Sequence, residues 1–444
     1  MAAGSPPPTR RPSRPRTGAG SARVVAAVYR EWVIPELRDG LVERRPETDA
    51  EVEAFGAAVR RGFLDEEATP AQAAVMRDRL RARELRAVYD VPTGSPVPVG
   101  TIDGWDVELT TDVRRTLPMR AISGVTVSPT HRRRGIASYL VRRELDAAHE
   151  RGIPLAGLTV SEATIYGRFG FEPAVHTTTW KVQTARARWV GPRPGGRLDA
   201  LDRPTLAAAL AEVHDAFRLD HPGETTGTQG LWTSLAGIVP ESEDRKVRGV
   251  RYRDDSGQTR GVVAFTLSGD GDEFTGHTLS VRYLAALDHD AYAALWRFVL
   301  EHDLVAEVEA SLRSADEPLR WMIADQRGAT VTERDHQWFR ILDTKRTLES
   351  RSYREAGSVV LSVDDPWGYA AGTWRFTVAA DGSASVEPSD DEADLSLGVG
   401  ALGAILLGGV RADTLSVAGH ISGDTAWLTR TFAPTVLPTA SIWY

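Results

Sequence analysis

The fold of this 444-residue chain is decided by one stretch, VTVSPTHRRRGIA, which runs from Val125 to Ala137. Its first three residues are β-branched, which is typical of a strand, and three consecutive arginines follow a proline-containing turn. From Gly135 to about His149, apolar residues recur at helical spacing and predict a helix with one side on a sheet. The stretch therefore predicts a strand, a basic turn and a helix in direct succession.

The basic turn has the chemistry of an anion site. The start of a helix offers unpaired N–H donors and about half a positive charge, which suits a pyrophosphate. Gly135 and Ala137 keep the side chains small where the backbone must approach that anion, and the arginines add charge-assisted donors. The pattern Arg-x-x-Gly-x-Ala is weak alone, and a surface arginine cluster at a helix start is the competing interpretation. The strand before it and the helix after it favour the anion site.

Strands and helices alternate along the first part of the chain. Thr48 or Asp49 is predicted to cap a helix, and a second helical stretch runs from Pro70 to Leu85. The predicted strands are Leu41–Arg44, Ala87–Val91, Val97–Ile102, Ala121–Val127 and Ala156–Val160. This alternation predicts an α/β sheet with at least one parallel pair of strands.

Changes in composition divide the chain into parts. The chain begins with a Pro-, Arg- and Ser-rich segment that predicts a disordered, basic extension. A Pro/Gly-rich linker from Arg186 to Arg197 separates two units, and the pattern of strands changes again near Thr347. The four predicted parts are an extension at 1–40, an α/β unit at 41–185, a second unit at 198–345 and a third at 347–444.

Composition and charge exclude several classes of protein. The absence of cysteine removes disulfides, thiolate metal sites and any cysteine nucleophile, and no histidine pattern predicts a metal site. No apolar run approaches the ~20 residues of a membrane span, and no secretory leader is recognisable. Residues 1–20 contribute +4, so the remaining 424 residues sum to −12. We therefore expect a cytoplasmic protein that binds neither nucleic acid nor membranes and favours cationic partners.

Two motifs carry a resemblance to a known family. The stretch from Val125 to Ala137 resembles the acetyl-CoA-binding motif of the GNAT N-acetyltransferases, and SEATIYGRFGF, from Ser161 to Phe171, resembles their second hallmark. With HPGE at 221–224, the chain more narrowly resembles the enhanced intracellular survival (Eis) acetyltransferases of actinobacteria, over about 41–444. The resemblance implies an α/β (α+β) chain of tandem GNAT folds, the second degenerate, followed by a C-terminal sterol-carrier-protein-like α+β domain. It also implies a homohexamer.

The resemblance further implies a role for each matched residue. Tyr166 would be the general acid, since a tyrosine hydroxyl with a pKa near 10 can protonate a leaving thiolate when it is held in position. A tyrosine that only packs on the sheet is the competing interpretation. The α-carboxylate of Tyr444 would bind the amine and relay its proton through water. The expected acetyl-CoA-binding residues are Val125, Val127, Arg132, Arg133, Arg134, Gly135, Ile136, Ala137 and Ser161.

The function implied is acetyl-CoA-dependent transfer of an acetyl group directly to a primary amine. The acceptor would be a polycationic small molecule, such as an aminoglycoside or a polyamine, or a lysine side chain. Glu66 and Glu67 are candidates for docking an amine, and Trp105 is a candidate pocket wall. Trp443 stands where the family commonly has an acidic residue. The alternative is a non-catalytic protein that binds CoA, or an apolar ligand in the sterol-carrier-like domain.

Overall fold

The computed structural model describes residues 36–269 and 276–444. Positions 1–35 of the extension predicted over 1–40 lie outside the described residues. Its last residues belong to the folded part, because Leu37 packs against the core beneath the first sheet and Leu41 N donates to Arg38 O. None of the helices in the described part of the chain is long and apolar enough to cross a membrane.

The described strands and helices follow in chain order. The strands are β1 Leu41–Arg44, β2 Glu84–Asp90, β3 Gly100–Asp112, β4 Arg115–Val127, β5 Leu155–Thr159, β6 Glu172–Gln183, β7 Arg197–Leu201, β8 Arg248–Arg253, β9 Thr259–Ser268, β10 His277–Ala286, β11 Val305–Arg313, β12 Ala329–Ile341, β13 Gly357–Asp364, β14 Gly372–Val378, β15 Ala384–Pro388, β16 Leu395–Gly398 and β17 Ile421–Gly423. The α-helices are α1 Asp49–Gly62, α2 Pro70–Leu80, α3 Ile136–Glu150, α4 Ala163–Tyr166, α5 Thr184–Ala187, α6 Arg203–Phe217, α7 Gln229–Leu235, α8 His289–Leu300, α9 Thr344–Leu348, α10 Val399–Ile405, α11 Ala412–Val417 and α12 Ala426–Thr431.

Twelve of these strands form one continuous sheet in the order β1-β2-β3-β4-β5-β12-β6-β11-β10-β9-β8-β7. The order shows a strand exchange across the linker. β12 lies between β5 and β6, with Phe339 opposite Gly157, and β6 in turn pairs with β11. The chain on either side of the linker therefore shares one sheet, which the sequence did not predict.

Each half of this sheet contains a parallel pair joined by a helix, so the predicted parallel pair is confirmed. β4 and β5 are parallel and connected through α3, and β10 and β11 are parallel and connected through α8. In α3 the periodic apolar residues, Leu140 and Leu145 among them, are buried on the sheet as the spacing predicted.

Side-chain caps mark several helix starts, and one predicted helix end is wrong. Thr48 forms a capping box with Glu51 at the start of α1. The second helix ends at Leu80 rather than Leu85, because the chain enters β2 at Glu84 and buries Leu85 in the sheet. Tertiary pairing overrides the helical propensity of those last residues.

The C-terminal part forms a five-stranded sheet in the order β15-β14-β13-β16-β17. Its first three strands are antiparallel neighbours, whereas β13 and β16 are parallel. The sheet and its helices share one hydrophobic core with residues of β3 and β4, such as Leu109 and Met119. The apolar helix α10 is buried and contacts β6 and β12.

Candidate functional site

A cleft opens where β4 and β5 separate. The two strands pair from Met119 opposite Leu155 to Ala121 opposite Gly157. Beyond Ala121, β4 continues to Val127 with β3 as its partner, while β5 pairs with β12 on its other side. On the cleft side, the edge of β4 that carries Val125 and Val127 has no strand partner among the described residues. Its N–H and C=O groups can therefore bond an extended ligand arm.

The basic turn closes one end of this cleft. Arg133 and Gly135 have φ values of 63° and 78°, in the left-handed region. Left-handed residues in a turn bring successive N–H groups to one concave side, which binds anions. Gly135 precedes α3, and no side chain in the described part of the chain caps this helix. The first N–H groups of α3 are therefore available to a ligand.

Glycine at position 100 lets the start of α3 approach the sheet. A Cβ on Gly100 would collide with the Ile136 side chain. Ile136 is itself buried in the core, so any contact it makes with an anion uses its main-chain N–H. The close approach puts the open helix start directly against β3, beside the end of β4.

The three arginines of the turn are not equivalent. Arg132 and Arg133 are exposed and have no ion-pair partner within 36–269 and 276–444. Arg134 is less exposed, and its Nη2 lies 3.6 Å from a carboxylate oxygen of Asp39. Two of the three predicted cationic contacts are thus open to an anion, and the third is paired with a carboxylate.

Sequence reasoning missed the support of this turn. His131 Nε2 lies 3.0 Å from Asp90 Oδ2, and its Nδ1 lies 2.8 Å from Thr130 Oγ1. Thr130 in turn lies 2.9 Å from Ser128 Oγ. This chain of contacts ties the turn to the end of β2. The His131 contact could not be read from the sequence because Asp90 lies 41 positions away.

Tyr166 lies in α4, which follows the end of β5. The residue is 7% exposed, and its ring meets that of Phe171 edge to face at 6.2 Å. Burial, with the charge of Glu162 as a second cause, raises the pKa of the Tyr166 hydroxyl to about 12. A phenol keeps its proton at neutral pH, so Tyr166 can act as a hydrogen-bond donor, and the raised pKa makes it a weaker acid than a free tyrosine. Ser161, at the start of the same motif, is exposed.

The structure brings Tyr444 to the end of β5, 285 positions away from Thr159. Its main-chain oxygen accepts a hydrogen bond of 2.8 Å from Thr159 Oγ1, and its hydroxyl accepts one of 2.8 Å from Gln337 Nε2. The Trp105 ring meets the Tyr444 ring edge to face at 6.3 Å. The Arg83 guanidinium stacks on the Trp105 ring, 3.8 Å from its centroid. Burial raises the pKa of the Tyr444 phenol well above its ordinary value.

A cavity of about 280 Å³ lies between α1 and α2. Its walls include Glu53, Glu66 and Glu67, the last two being the candidates for amine docking. The C-terminal end of α1 approaches β4 closely, because a Cβ on Gly62 would collide with Thr126. Arg60 and Arg61 also line this cavity, which is therefore mixed in charge and lies next to the strand that borders the cleft.

The donors present fit a CoA thioester. An open helix start with two exposed guanidinium groups suits a pyrophosphate, and an unpaired strand edge suits the amides of an extended arm. Within the described ranges, no group of three or more His, Asp or Glu residues is arranged to hold a metal ion.

Family profiles and relatives agree with this geometry. Residues 43–174 and 226–341 each match an acetyltransferase (GNAT) domain, and residues 344–440 match a sterol carrier protein domain. An uncharacterized N-acetyltransferase of Streptomyces avermitilis is 34% identical over 391 residues, which cover 86% of this chain and 92% of that protein. The N-acetyltransferase Eis of Mycobacterium tuberculosis is 31% identical over 348 residues, which cover 76% of this chain and 82% of Eis.

Solved structures show the same architecture. The crystal structure of Eis1 from Mycobacterium abscessus superposes with a TM-score of 0.78 at 28% identity, covering 91% of this chain and all of that one. The predicted family, fold class and enzyme class are thereby confirmed. The chain belongs to the Eis-like GNAT N-acetyltransferases of actinobacteria, with two GNAT domains and a C-terminal sterol-carrier-like domain, and it uses acetyl-CoA to acetylate amines.

Proposed function

We propose that the cleft between β4 and β5 binds acetyl-CoA and that the acceptor is a primary amine of a cationic small molecule or of a lysine side chain. One observation carries the first part: the parallel strands separate beside a helix start that no described side chain caps. In this proposal the main chain of Val125 and Val127 and the exposed Ser161 contact the pantetheine arm. Arg132, Arg133 and the N–H groups at Gly135, Ile136 and Ala137 hold the pyrophosphate, with Arg134 at its margin.

Tyr166 is the proposed general acid. The bound co-substrate supplies an acyl group already activated as a thioester. The amine nitrogen bonds to the acyl carbon as the carbon–sulfur bond breaks, and the Tyr166 phenol, which is protonated at neutral pH, donates a hydrogen bond to the departing sulfur. Because burial and the charge of Glu162 raise its pKa to about 12, the phenol is a weaker acid than a free tyrosine, so it must be hydrogen-bonded to the sulfur in order to protonate the departing thiolate.

Tyr444 is the proposed partner of the amine. Its main-chain carboxyl group, oriented by the Thr159 hydroxyl, attracts the ammonium form and accepts its proton through water. A carboxylate of ordinary pKa ~3.5 is a weak base, so the proposed role is to bind the ammonium group and relay its proton through water rather than to remove the proton directly. Two glycines added after Tyr444 should displace the carboxylate and reduce kcat; an extended enzyme with unchanged kcat would remove Tyr444 from the mechanism.

The acidic surplus favours a cationic acceptor. Residues 21–444 sum to −12, and Glu66 and Glu67 line a cavity attached to β4 through α1. Trp443, 55% exposed beside Tyr444, favours an acceptor that also has an apolar face. The acceptor class is therefore proposed as an amine that carries more than one positive charge.

Thiol release tests the proposal directly. The full chain is incubated with acetyl-CoA and, separately, with a polyamine, an aminoglycoside, a lysine peptide and an apolar monoamine, and free thiol is followed. We expect release with at least one polycationic amine and a higher kcat/KM for it than for the monoamine. Absence of amine-dependent release throughout would contradict the proposal, and a preference for the monoamine would overturn the acceptor class.

The homohexamer and the cytoplasmic location stay predictions. The first is implied by the family resemblance, and analytical ultracentrifugation of the full chain would test it.

A further inference from the structure

The end of the chain is held by the second GNAT domain. Thr439 N donates to Pro222 O at 2.8 Å. Two residues later, the main-chain N and the hydroxyl of Ser441 bond the two carboxylate oxygens of Glu224, at 2.9 and 3.0 Å. Glu224 is 0% exposed. Both carboxylate oxygens of Glu224 and both donors of Ser441 are therefore used in these two hydrogen bonds.

The segment that contributes Glu224 is itself hydrogen-bonded to β3 of the twelve-stranded sheet. Gly223 N donates to Thr110 O at 2.8 Å, and Thr110 N donates to Glu224 O at 2.9 Å. Thr226 N donates to Glu108 O at 3.1 Å. The HPGE motif therefore binds β3 on one side and the end of the chain on the other.

Glycine is required in this motif for a physical reason. Gly223 has a φ of 95°, and a Cβ there would lie 2.5 Å from Thr439 O. The glycine allows the two main chains to come close enough for the Thr439–Pro222 hydrogen bond. The motif thus fits the end of the chain closely.

Beyond Ser441, the chain crosses from the second domain to the first. The Ile442 side chain is buried in the core of the second domain, and Ile442 O accepts from His336 Nε2 at 3.0 Å. Tyr444 then reaches Thr159 on β5. Three residues span at most about 10 Å, so the position of Ser441 limits where Tyr444 can lie.

We propose that Glu224 of the second GNAT domain is a positioning residue that holds Tyr444 at the end of β5. The proposal rests on the proposed function of Tyr444. A buried carboxyl group is unfavourable for folding unless its hydrogen bonds are satisfied, and here the partner is the segment that ends in Tyr444. Burial raises the pKa of the Glu224 carboxyl to about 8, which agrees with this environment.

Three variants of the full chain test the proposal. Glu224→Ala removes both acceptors, Glu224→Gln keeps the shape and can still bond Ser441, and Glu212→Ala makes the same truncation at an exposed site on α6. Carboxypeptidase A is added to each folded protein, and loss of Tyr444 is followed by intact mass. We expect release to be about tenfold faster in Glu224→Ala, within about twofold of wild type in Glu224→Gln, and unchanged in Glu212→Ala.

Kinetics separate this inference from the proposed function. Glu224→Ala should lower kcat about tenfold and leave the KM for acetyl-CoA unchanged, with Glu224→Gln restoring kcat. Release of Tyr444 at the wild-type rate from Glu224→Ala would overturn the positioning role. Fast release with unchanged kcat would support positioning and instead overturn the catalytic role of Tyr444.

A second variant keeps the test open if Glu224→Ala does not fold. Ser441→Ala removes the hydroxyl contact and leaves the main-chain N–H contact to Glu224. We expect about threefold faster release of Tyr444 in this variant. A wild-type rate would count against the proposal.

Discussion

The two GNAT domains carry the same supersecondary unit, a parallel strand pair joined by a helix, but they treat its helix start differently. In the first domain Gly135 precedes α3, and no described side chain caps the helix. In the second domain Asp288 precedes α8, and its carboxylate accepts from Ala291 N at 2.8 Å. A second contact joins that carboxylate to Arg260 at 2.8 Å. The position that would hold an anion is thus taken by the chain's own carboxylate.

The space between the strands differs as well. β10 and β11 pair up to Val281 opposite Ala310, and beyond that point Arg313 Nη1 donates to Leu284 O at 2.8 Å. Glu317 accepts from Arg313, and also from Tyr292 and Trp296, in the same buried region. The second domain therefore fills its cleft with an ion pair and aromatic side chains. Of the two domains, only the first keeps both its helix start and its strand edge open among the described residues, which supports the proposed ligand site there.

The largest expected effect comes from placing an aspartate at the helix start of the first domain, where the second domain has Asp288. Gly135→Asp places a carboxylate at the start of α3 and imposes a side chain at a φ of 78°. Repulsion of the pyrophosphate and backbone strain should weaken acetyl-CoA binding by about 100-fold or more. Isothermal titration calorimetry measures the Kd.

Gly94→Asp is the matched control for this variant. Gly94 also has a left-handed φ, 63°, and no atom lies within 4 Å of a Cβ added there. It should bind acetyl-CoA with the wild-type Kd. Equal Kd values for the two variants would show that the helix start of the first domain is not the anion site.

Tyr166→Phe should produce the next largest effect. Removal of the phenol takes away the proton donor for the departing thiolate, so kcat should fall about 100-fold while the Kd for acetyl-CoA stays unchanged. Thiol release under saturating substrate measures kcat. Tyr252→Phe, which loses a hydroxyl bonded to Gly195 O in the second domain, is the control. If both variants turned over equally, Tyr166 would be a packing residue.

The strand, turn and helix start of the first domain could be predicted from the sequence because their signals are local. Strand, turn and the first residues of the helix follow one another within Val125–Ala137, so these neighbouring patterns together predicted the helix start. The closed site of the second domain was not readable, because Arg313 reaches Leu284 across 29 positions. The strand exchange of β12 and the Glu224–Ser441 contact, across 217 positions, are likewise set by long-range packing. The resemblance supplied Tyr444, whereas only the structure shows what holds it.

A smaller effect is expected when the pH is changed, because the free energy of unfolding depends on the protonation of Glu224 in the second domain. Burial raises the folded-state pKa of Glu224 to about 8, above the ordinary 4.5, whereas the hydrogen bonds from Ser441 and, less strongly, the nearby Arg313 oppose this rise. The folded state therefore favours the protonated carboxyl. Its contribution to the free energy of unfolding is complete below about pH 4.5 and is lost as pH rises towards about 8.

Glu224→Gln isolates this contribution. The difference in free energy of unfolding, wild type minus Glu224→Gln, should fall by at least about 1 kcal/mol between pH 5 and pH 8. Urea titrations at each pH measure it. A difference that does not change with pH would mean that the carboxyl does not titrate in this range.

The smallest expected effect is a difference in Kd among variants of the three arginines that precede α3 in the first domain. Arg132→Ala and Arg133→Ala each remove an exposed cation that is free to contact a pyrophosphate, and each should raise the Kd for acetyl-CoA about three- to tenfold. Arg134→Ala removes a guanidinium that lies 3.6 Å from the Asp39 carboxylate, so the Kd should change less than about twofold. The same titrations repeated at higher salt should reduce the effects of the first two variants, because screening weakens exposed charges. Equal effects of all three variants would show that Arg134 leaves Asp39 when the cofactor binds, and the open site would then use all three cations.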